Sequence, residues 1–474
     1  MKLLRSFLPL GALALASSVF GQQPVALGSR LELLVDEYLV GELHGVAFRM
    51  HEPVKAPRAK SPLPEKHMMT VIKDGDLYRA WYRSSDPAYK GEPYSGNPGE
   101  TVCYAESRDG QEWTFPKLGL HEIAGTKENN VILANWIPFL TDFMPFLDDR
   151  PGVDPAERYK TLAGYPGVGD KRGLNEPGRG LFAFVSPDGI KWTKKGEAIP
   201  YRPEWRHAFD SPNVTFWSEA EQLYVCYFRT WSEPDHLRSV SRATSPDFVH
   251  WSVPVAMNPN EPGEHLYTTM THPYFRAPHI YIATATRYVP GRGDAPKYDS
   301  KDVNLTDIVL MTTRAGSTHY DRTFKEAFMV PGLDPARWHN RGNYVAHNVI
   351  PTGPEEMSIY HRSGDRYVLR TDGFISLHAG ATEGSWTTKP LTFTGGKLVL
   401  NFSTSAAGGI RVEVQKPTGE VIPGFALADC AVVYGDKIAG SPTWKGGDLS
   451  ALAGQPVRLR FVMKEADIYS LRFQ

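Results

Sequence analysis

Apolar residues recur at every second position in short runs along this chain, and Gly, Asp and Pro separate the runs. Residues 77–83 (Leu-Tyr-Arg-Ala-Trp-Tyr-Arg) and 223–229 (Leu-Tyr-Val-Cys-Tyr-Phe-Arg) follow this pattern. It predicts strands with one buried face, and no stretch sustains the 3.6-residue period of a helix. The runs also fall into groups. Residues 68–72, the turn 73–76, residues 77–83, residues 101–105 and a strand from Trp113 form one unit of four strands. Further units open near Thr141, Phe209, Glu264 and Asn343 with similar internal order. Five four-stranded meanders predict a five-bladed β-propeller, which closes its sheets radially and leaves only short protected edges. After about Ala379 the pattern changes to alternating strands with Gly turns, as in 398–402, 410–414 and 457–462. The expectation is an all-β chain: a propeller over 22–379 and a C-terminal β-sandwich over 380–474.

A repeated turn marks the units. Ser107-Arg108-Asp109-Gly110-Gln111-Glu112-Trp113 returns as Ser186-Pro187-Asp188-Gly189-Ile190-Lys191-Trp192 and as Ser245-Pro246-Asp247-Phe248-Val249-His250-Trp251. A degenerate copy falls at Thr313-Arg314-Ala315-Gly316, and a fragment at Thr371-Asp372-Gly373-Phe374. Asp-Gly predicts a two-residue hairpin tip, because Gly accepts positive φ and the Asp side chain bonds backbone two residues on. The Trp then opens the outgoing strand. These acids are expected on the outer rim, as turn formers.

Composition narrows the partners. Aromatics reach 12% of residues, with 43 Gly and 38 Pro, which suits a turn-rich β protein and also surfaces that stack sugars. With 52 Lys+Arg against 53 Asp+Glu, and no dense basic run, no field exists to draw nucleic acid. Lys2 and Arg5 precede a short apolar run, 7–16, and small residues up to Gly21. Residues 1–21 therefore read as a signal peptide, too short to span a bilayer, and predict a secreted or periplasmic protein with no membrane span. Cys103, Cys226 and Cys430 make no disulfide framework and read as buried free thiols.

The innermost strands of a propeller run side by side around a channel, so the residues that begin them converge at one mouth. Glu65, Asp142, Asp210 and Glu264 stand at that position in four units. Glycoside cleavage needs one protonated carboxylic acid and one carboxylate, and crowding of acids separates their pKa values. Asp210 and Glu264 are the expected catalytic pair, with Glu65 and Asp142 as modulators or substitutes. His67, His272 and His347 are expected near the same mouth as substrate contacts. Arg83, Arg229 and Arg287 end aromatic-rich strands and suit either an acidic or sulfated sugar or pairing with acids. Tyr267 and Tyr344 are expected to stack sugar. No metal motif, phosphate loop or catalytic-serine elbow is visible, so no cofactor is called for, a structural ion in the channel aside.

Three stretches resemble a known group: residues 34–40 (Leu-Val-Asp-Glu-Tyr-Leu-Val), the tip at 103–110, and Phe209-Asp210-Ser211-Pro212-Asn213. They are similar to secreted proteins of the invertase/fructosidase type. The broader set includes arabinanase/xylosidase-like five-bladed propellers that often carry a C-terminal β-sandwich. The fructosidase Trp-x-Asn-Asp-Pro-Asn, Arg-Asp-Pro and Glu-Cys motifs have no counterpart here, so no catalytic role transfers residue by residue. The resemblance implies a secreted glycoside hydrolase acting on polysaccharide or oligosaccharide. The alternatives are a non-catalytic sugar-binding or cell-surface interaction propeller, and a polysaccharide lyase.

Overall fold

The computed structural model describes residues 23–92, 96–136, 139–164, 180–202, 205, 208–292 and 304–474. The expected signal peptide, 1–21, lies outside the described residues. Among the described residues the regular elements are strands, interrupted by three 3-10 turns, with no α-helix.

Five small sheets form the ring. Blade one pairs Met69–Asp74 with Leu77–Ser85, then Glu100–Ser107, whose far edge takes Trp113–Thr114 and Val131–Ala134. Blade two runs Phe146–Leu147, Tyr159–Ala163, Leu181–Ser186, Thr193–Ile199, and blade three Val214–Ser218, Leu223–Trp231, Arg238–Ser245, Val255–Ala256. In blade four, His265–Thr268 and His272–Tyr274 both pair Ala277–Val289, which pairs Leu305–Arg314. Blade five is Ile350–Pro351, Glu356–Tyr360 and Arg366–Arg370, and its outer strand is Val54–Lys55 from before blade one. The predicted five-bladed propeller is borne out. A strand contributed from the N-terminal side to the last blade, which no local pattern signals, helps to close it. A second closure lies inside: Thr70 and His347 form a parallel bridge between the innermost segments of blades one and five.

The repeated tips differ from the expected two-residue turn. Ser107 pairs with Trp113 across the strands, leaving residues 108–112 as the loop. Asp109 Oδ1 accepts from the N–H groups of Gln111 and Glu112 at 2.8 and 2.9 Å, while Ser107 Oγ accepts from Gly110 N–H at 2.9 Å. Asp188 and Asp247 repeat the arrangement with 190–191 and 249–250, at 2.8–2.9 Å. Because one carboxylate oxygen satisfies successive N–H groups, a wider loop holds without cross-strand pairing. The third residue of each tip has φ near +70° (Gly110 71°, Gly189 75°, Phe248 68°), so Phe248 occupies a conformation that favours glycine. The tips also join blades. Trp81 of blade one donates its indole N–H to Gly189 O at 2.7 Å, and Tyr360 of blade five donates to Gly110 O at 2.6 Å. A Cβ on Gly189 would lie 2.6 Å from the Trp81 ring.

Beyond the ring, the 18-residue strand Leu398–Gln415 pairs along its length with the 16-residue Arg458–Phe473. Their apolar residues, among them Leu400, Phe402, Val412, Leu459 and Phe461, close on one core. The same sheet takes Ile375–Ala379 and three strands from the start of the chain, Glu32–Leu33, Val40–His44 and Ala47–Met50. The expected division at residue 379 thus falls at the end of a strand belonging to this sheet. Two polar clusters connect this sheet to the ring. Arg314 of blade four donates to Glu32 and Asp36 at 2.9–3.0 Å. Asp372, buried and at φ 66°, accepts from Tyr274 and Arg276 of blade four and from Asn401 and Ser470 of the C-terminal sheet. The fragment at 371–374 is therefore a joint between the two bodies, and not a blade tip. All three cysteines are free and buried, as expected.

Candidate active site

Neighbouring strands of a blade are antiparallel, so the start of the first strand, the end of the second and the start of the third all reach one end of the channel. That end carries Asp142 ahead of Phe146–Leu147, Asp210 ahead of Val214–Ser218, Arg83 and Arg229 near the ends of second strands, and Glu100 and Arg238 at the starts of third strands.

Asp142 stands among these charges. It is 3% exposed, and its Oδ1 is buried with no hydrogen-bond partner. Burial pushes its carboxyl up to about 7; Arg83 and Arg229 oppose this, and the like charges of Asp210 and Glu100 add to it. Beside it, Asp210 forms an ion pair with the buried Arg229 and keeps a quarter of its side chain exposed. Glu100 pairs with Arg83 and accepts the Thr141 hydroxyl at 2.7 Å. The protonatable acid thus sits between two carboxylates that each hold an arginine.

Aromatic rings build the wall. The Arg229 guanidinium lies over Tyr267 at 4.9 Å, and Tyr267 stands 5.6 Å from Tyr344 and 5.9 Å from Tyr288. Arg238 is packed against three rings, Tyr288 at 4.6 Å, Trp231 at 4.9 Å and Tyr267 at 5.4 Å. The Ser211 hydroxyl donates to Tyr267 O at 2.6 Å, tying blade three to blade four. His67 meets the edge of Tyr344 at 6.3 Å. Burial and then Arg83, Arg362 and Arg341 push its imidazole down to about 3, so it is neutral.

The other expected site residues lie apart from Asp142 or in other roles. Glu65 is on the rim, its side chain 70% exposed and paired with Arg362 at 3.0 Å. Glu264 is held by Arg322 at 2.7 and 3.2 Å with Arg287 at 3.8 Å, and Arg287 in turn grips Asp307 at 2.6 and 2.9 Å. Tyr344 is buried and presents no free ring face to solvent. His272 and His347 line a different space, a cavity of about 540 Å³ that also takes Phe146, Phe216, Trp217 and Tyr274. His272 Nδ1–H donates to Met270 O at 2.8 Å and its Nε2 accepts from Val349 N–H at 3.0 Å. His347 Nε2–H donates to Thr271 O at 3.2 Å. Among the described residues no group of three His, Cys, Asp or Glu side chains could hold a metal ion.

Glu100, Arg238 and Arg341 were absent from the sequence expectations. A usable signal existed for the first two: each begins a third strand, and antiparallel pairing carries that position to the same mouth as Asp142.

Fold and site together define a five-bladed propeller with an acid and arginine mouth walled by aromatic rings. No protein-family model matches the chain, and no curated protein matches it. Solved structures to which it is similar include a thermostable family-43 glycoside hydrolase, with TM-score 0.39 and 10% identity over 68% of this chain and 95% of that one. A β-1,2-mannobiose phosphorylase from Listeria innocua gives 0.41 and 9% over 68% and 96%, and a family-32 β-fructofuranosidase from Bombyx mori 0.38 and 10% over 90% and 94%. The five-blade ring itself stands on its strand order and closure.

Proposed function

We propose that this chain is a glycoside hydrolase that works at the Asp142 mouth, with Asp142 as proton donor and Asp210 as the partner carboxylate. The observation that carries this reading is Asp142 itself: a nearly inaccessible carboxyl pushed up to about 7, beside an acid paired with arginine. A glycosidic oxygen leaves only if protonated, and an acid that titrates near neutrality can both hold and deliver the proton. The opposite carboxylate then stabilises or attacks the sugar carbon, directly or through water. Arg229 orients Asp210, and the Glu100 carboxylate adds to the crowding that keeps Asp142 protonated, while its ion-pair partner Arg83 opposes it. A signal peptide at residues 1–21 would carry the enzyme outside the cytoplasm, which suits a polysaccharide substrate. The test is a panel of plant and algal polysaccharides with product sugars analysed by chromatography. Shortened reducing-end products from the wild type, and none from Asp142→Asn, are expected; no hydrolysis of any glycan sinks the reading.

One observation favours a lyase as the second reading. His67 shares the mouth with Arg341 and Arg83, the histidine-plus-arginine set that abstraction of a proton beside a uronate carboxylate needs, while burial and those arginines push its imidazole down to about 3 and weaken it as a base. Unsaturated product ends in the same panel would select it.

A further inference from the structure

Among the described residues the mouth holds more cation than its acids neutralise. Arg83 is matched by Glu100, Arg229 by Asp210, and Arg362 by Glu65. Arg238 and Arg341 have no carboxylate partner among the described residues, although both lie within the field of Asp210. Arg238 is packed among three rings with its Nε buried and unpartnered. Burial and the neighbouring Arg229 act against its charge. A half-buried guanidinium with no carboxylate partner costs the fold part of its solvation, because a buried charge is normally paired. Arg341 is exposed, stands at φ 62°, and interacts with the Tyr267 side chain on the same wall. The two guanidinium groups therefore both touch Tyr267, one from blade three and one from the segment that leads into blade five.

We propose that Arg238 and Arg341 form an anion subsite, so that the saccharide taken at this mouth carries a carboxylate or a sulfate. This rests on the reading that the mouth binds saccharide. The fork of an arginine matches the two oxygens of a carboxylate or a sulfate, and such charge-assisted bonds are roughly twice as strong as neutral ones. The partner is a sugar substituent and not a nucleic acid, since the chain as a whole has net charge −1 and no basic run. Placed beside Tyr267, the anion would lie next to the Asp210–Arg229 pair and so orient the sugar relative to Asp142.

The experiment measures binding to the full-length Asp142→Asn protein, so that turnover cannot remove ligand. The probes are polygalacturonate oligomers against their methyl esters, and a sulfated galactan against its desulfated form. Tight binding of at least one acidic glycan is expected, with the matched neutral form at least about 10-fold weaker. Arg341→Gln, at an exposed position, and Arg238→Gln should each weaken acidic binding by about 10- to 100-fold, with Arg238→Lys in between. Melting curves check that each variant is folded. Preference within the two matched pairs tells uronate from sulfate. Binding of no acidic glycan, equal binding of the neutral forms, or unchanged binding by both Gln variants overturns the subsite. Cleavage is scored separately with Asp142 intact. Acidic binding without hydrolysis leaves the subsite and removes the hydrolase. Hydrolysis of neutral glycans that survives both Gln variants does the reverse.

Discussion

The acids at the blade tips and the acid at the channel mouth are the same side chain held in opposite ways. Asp109 and Asp188 feel burial that would raise their pKa, but two backbone N–H groups and a serine hydroxyl outweigh it and hold each below the usual carboxylate range. Asp247 is lowered further, first by the His250 side chain and then by the same backbone groups. Asp142 has the reverse environment: no hydrogen bond at Oδ1, almost no water, and two carboxylates nearby. A fully bonded carboxylate stabilises a loop and has no proton to give. An acid starved of partners costs stability and keeps its proton. On the proposed reading the contrast makes the tips structural and the mouth chemical, and each half can be broken separately.

The largest expected effect is at the mouth. Asp142→Asn removes the proposed proton donor, and a general acid is worth about 10²- to 10⁴-fold, so kcat on the best glycan of the panel should fall by that range. The wild type should lose kcat/KM as pH rises through about 7, where Asp142 gives up its proton. Stability should move in the same direction. The folded value of about 7 lies above the ordinary 3.8, so the native state binds this proton more tightly than the unfolded chain. Its contribution is complete below about pH 3.8 and is lost as pH climbs through 7. At about 1.4 kcal/mol per unit, that is at most roughly 4 kcal/mol. Urea melts at pH 5 and pH 8 should show this slope in the wild type and a flatter one in Asp142→Asn. A wild-type slope no steeper than that of the variant refutes the contrast.

How far the sequence led is itself set by range. Strands, tips and blade number were readable because period-2 alternation and Asp-Gly chemistry are local. The outer strand of blade five was not, since Val54–Lys55 pairs across more than three hundred residues with Tyr367 and Val368. Asp142 and Asp210 are legible because they stand ahead of first strands, whereas Glu100 and Arg238 need the same logic extended to third strands. Their partners are not legible: Asp210 meets Arg229 within blade three and Glu264 meets Arg322 within blade four, and which side chains turn toward each other is set by the connecting loops, not by the strand pattern. Nor does sequence separate a starved acid from a bonded one, because both precede apolar runs.

Glu264 supplies the next test, as an acid of the same topological class with a different environment. Its carboxylate is shared by Arg322 and Arg287, and the Arg322 and Glu264 side chains are each 7% exposed. Glu264→Gln leaves Arg322 with a neutral partner in a nearly dry site. Breaking one side of a buried pair costs about 3–5 kcal/mol. Urea unfolding should show a loss of that order, while kcat per folded molecule stays within about 2-fold, well short of what losing a general acid or base would cost. Loss of kcat with full stability would move the catalytic pair back to Glu264.

The smallest effects belong to the tips, where only stability should change. At Phe248 two terms compete. The left-handed backbone costs a non-glycine residue about 1–2 kcal/mol, which Phe248→Gly would return. The ring, 3% exposed, packs on Tyr224, Trp251 and Phe146 of the preceding blade, and truncating a buried Phe costs about 3–5 kcal/mol. Packing wins, so Phe248→Gly should destabilise by about 2–3 kcal/mol despite restoring the glycine of its sister tips. Asp109→Ala removes a cap from an exposed loop, typically about 1 kcal/mol, and should shift the urea midpoint slightly with kcat and KM unchanged. If Asp109→Ala instead impaired catalysis as Asp142→Asn does, the division between bonded tip acids and the starved mouth acid would be lost, since the two positions share a residue type and nothing else.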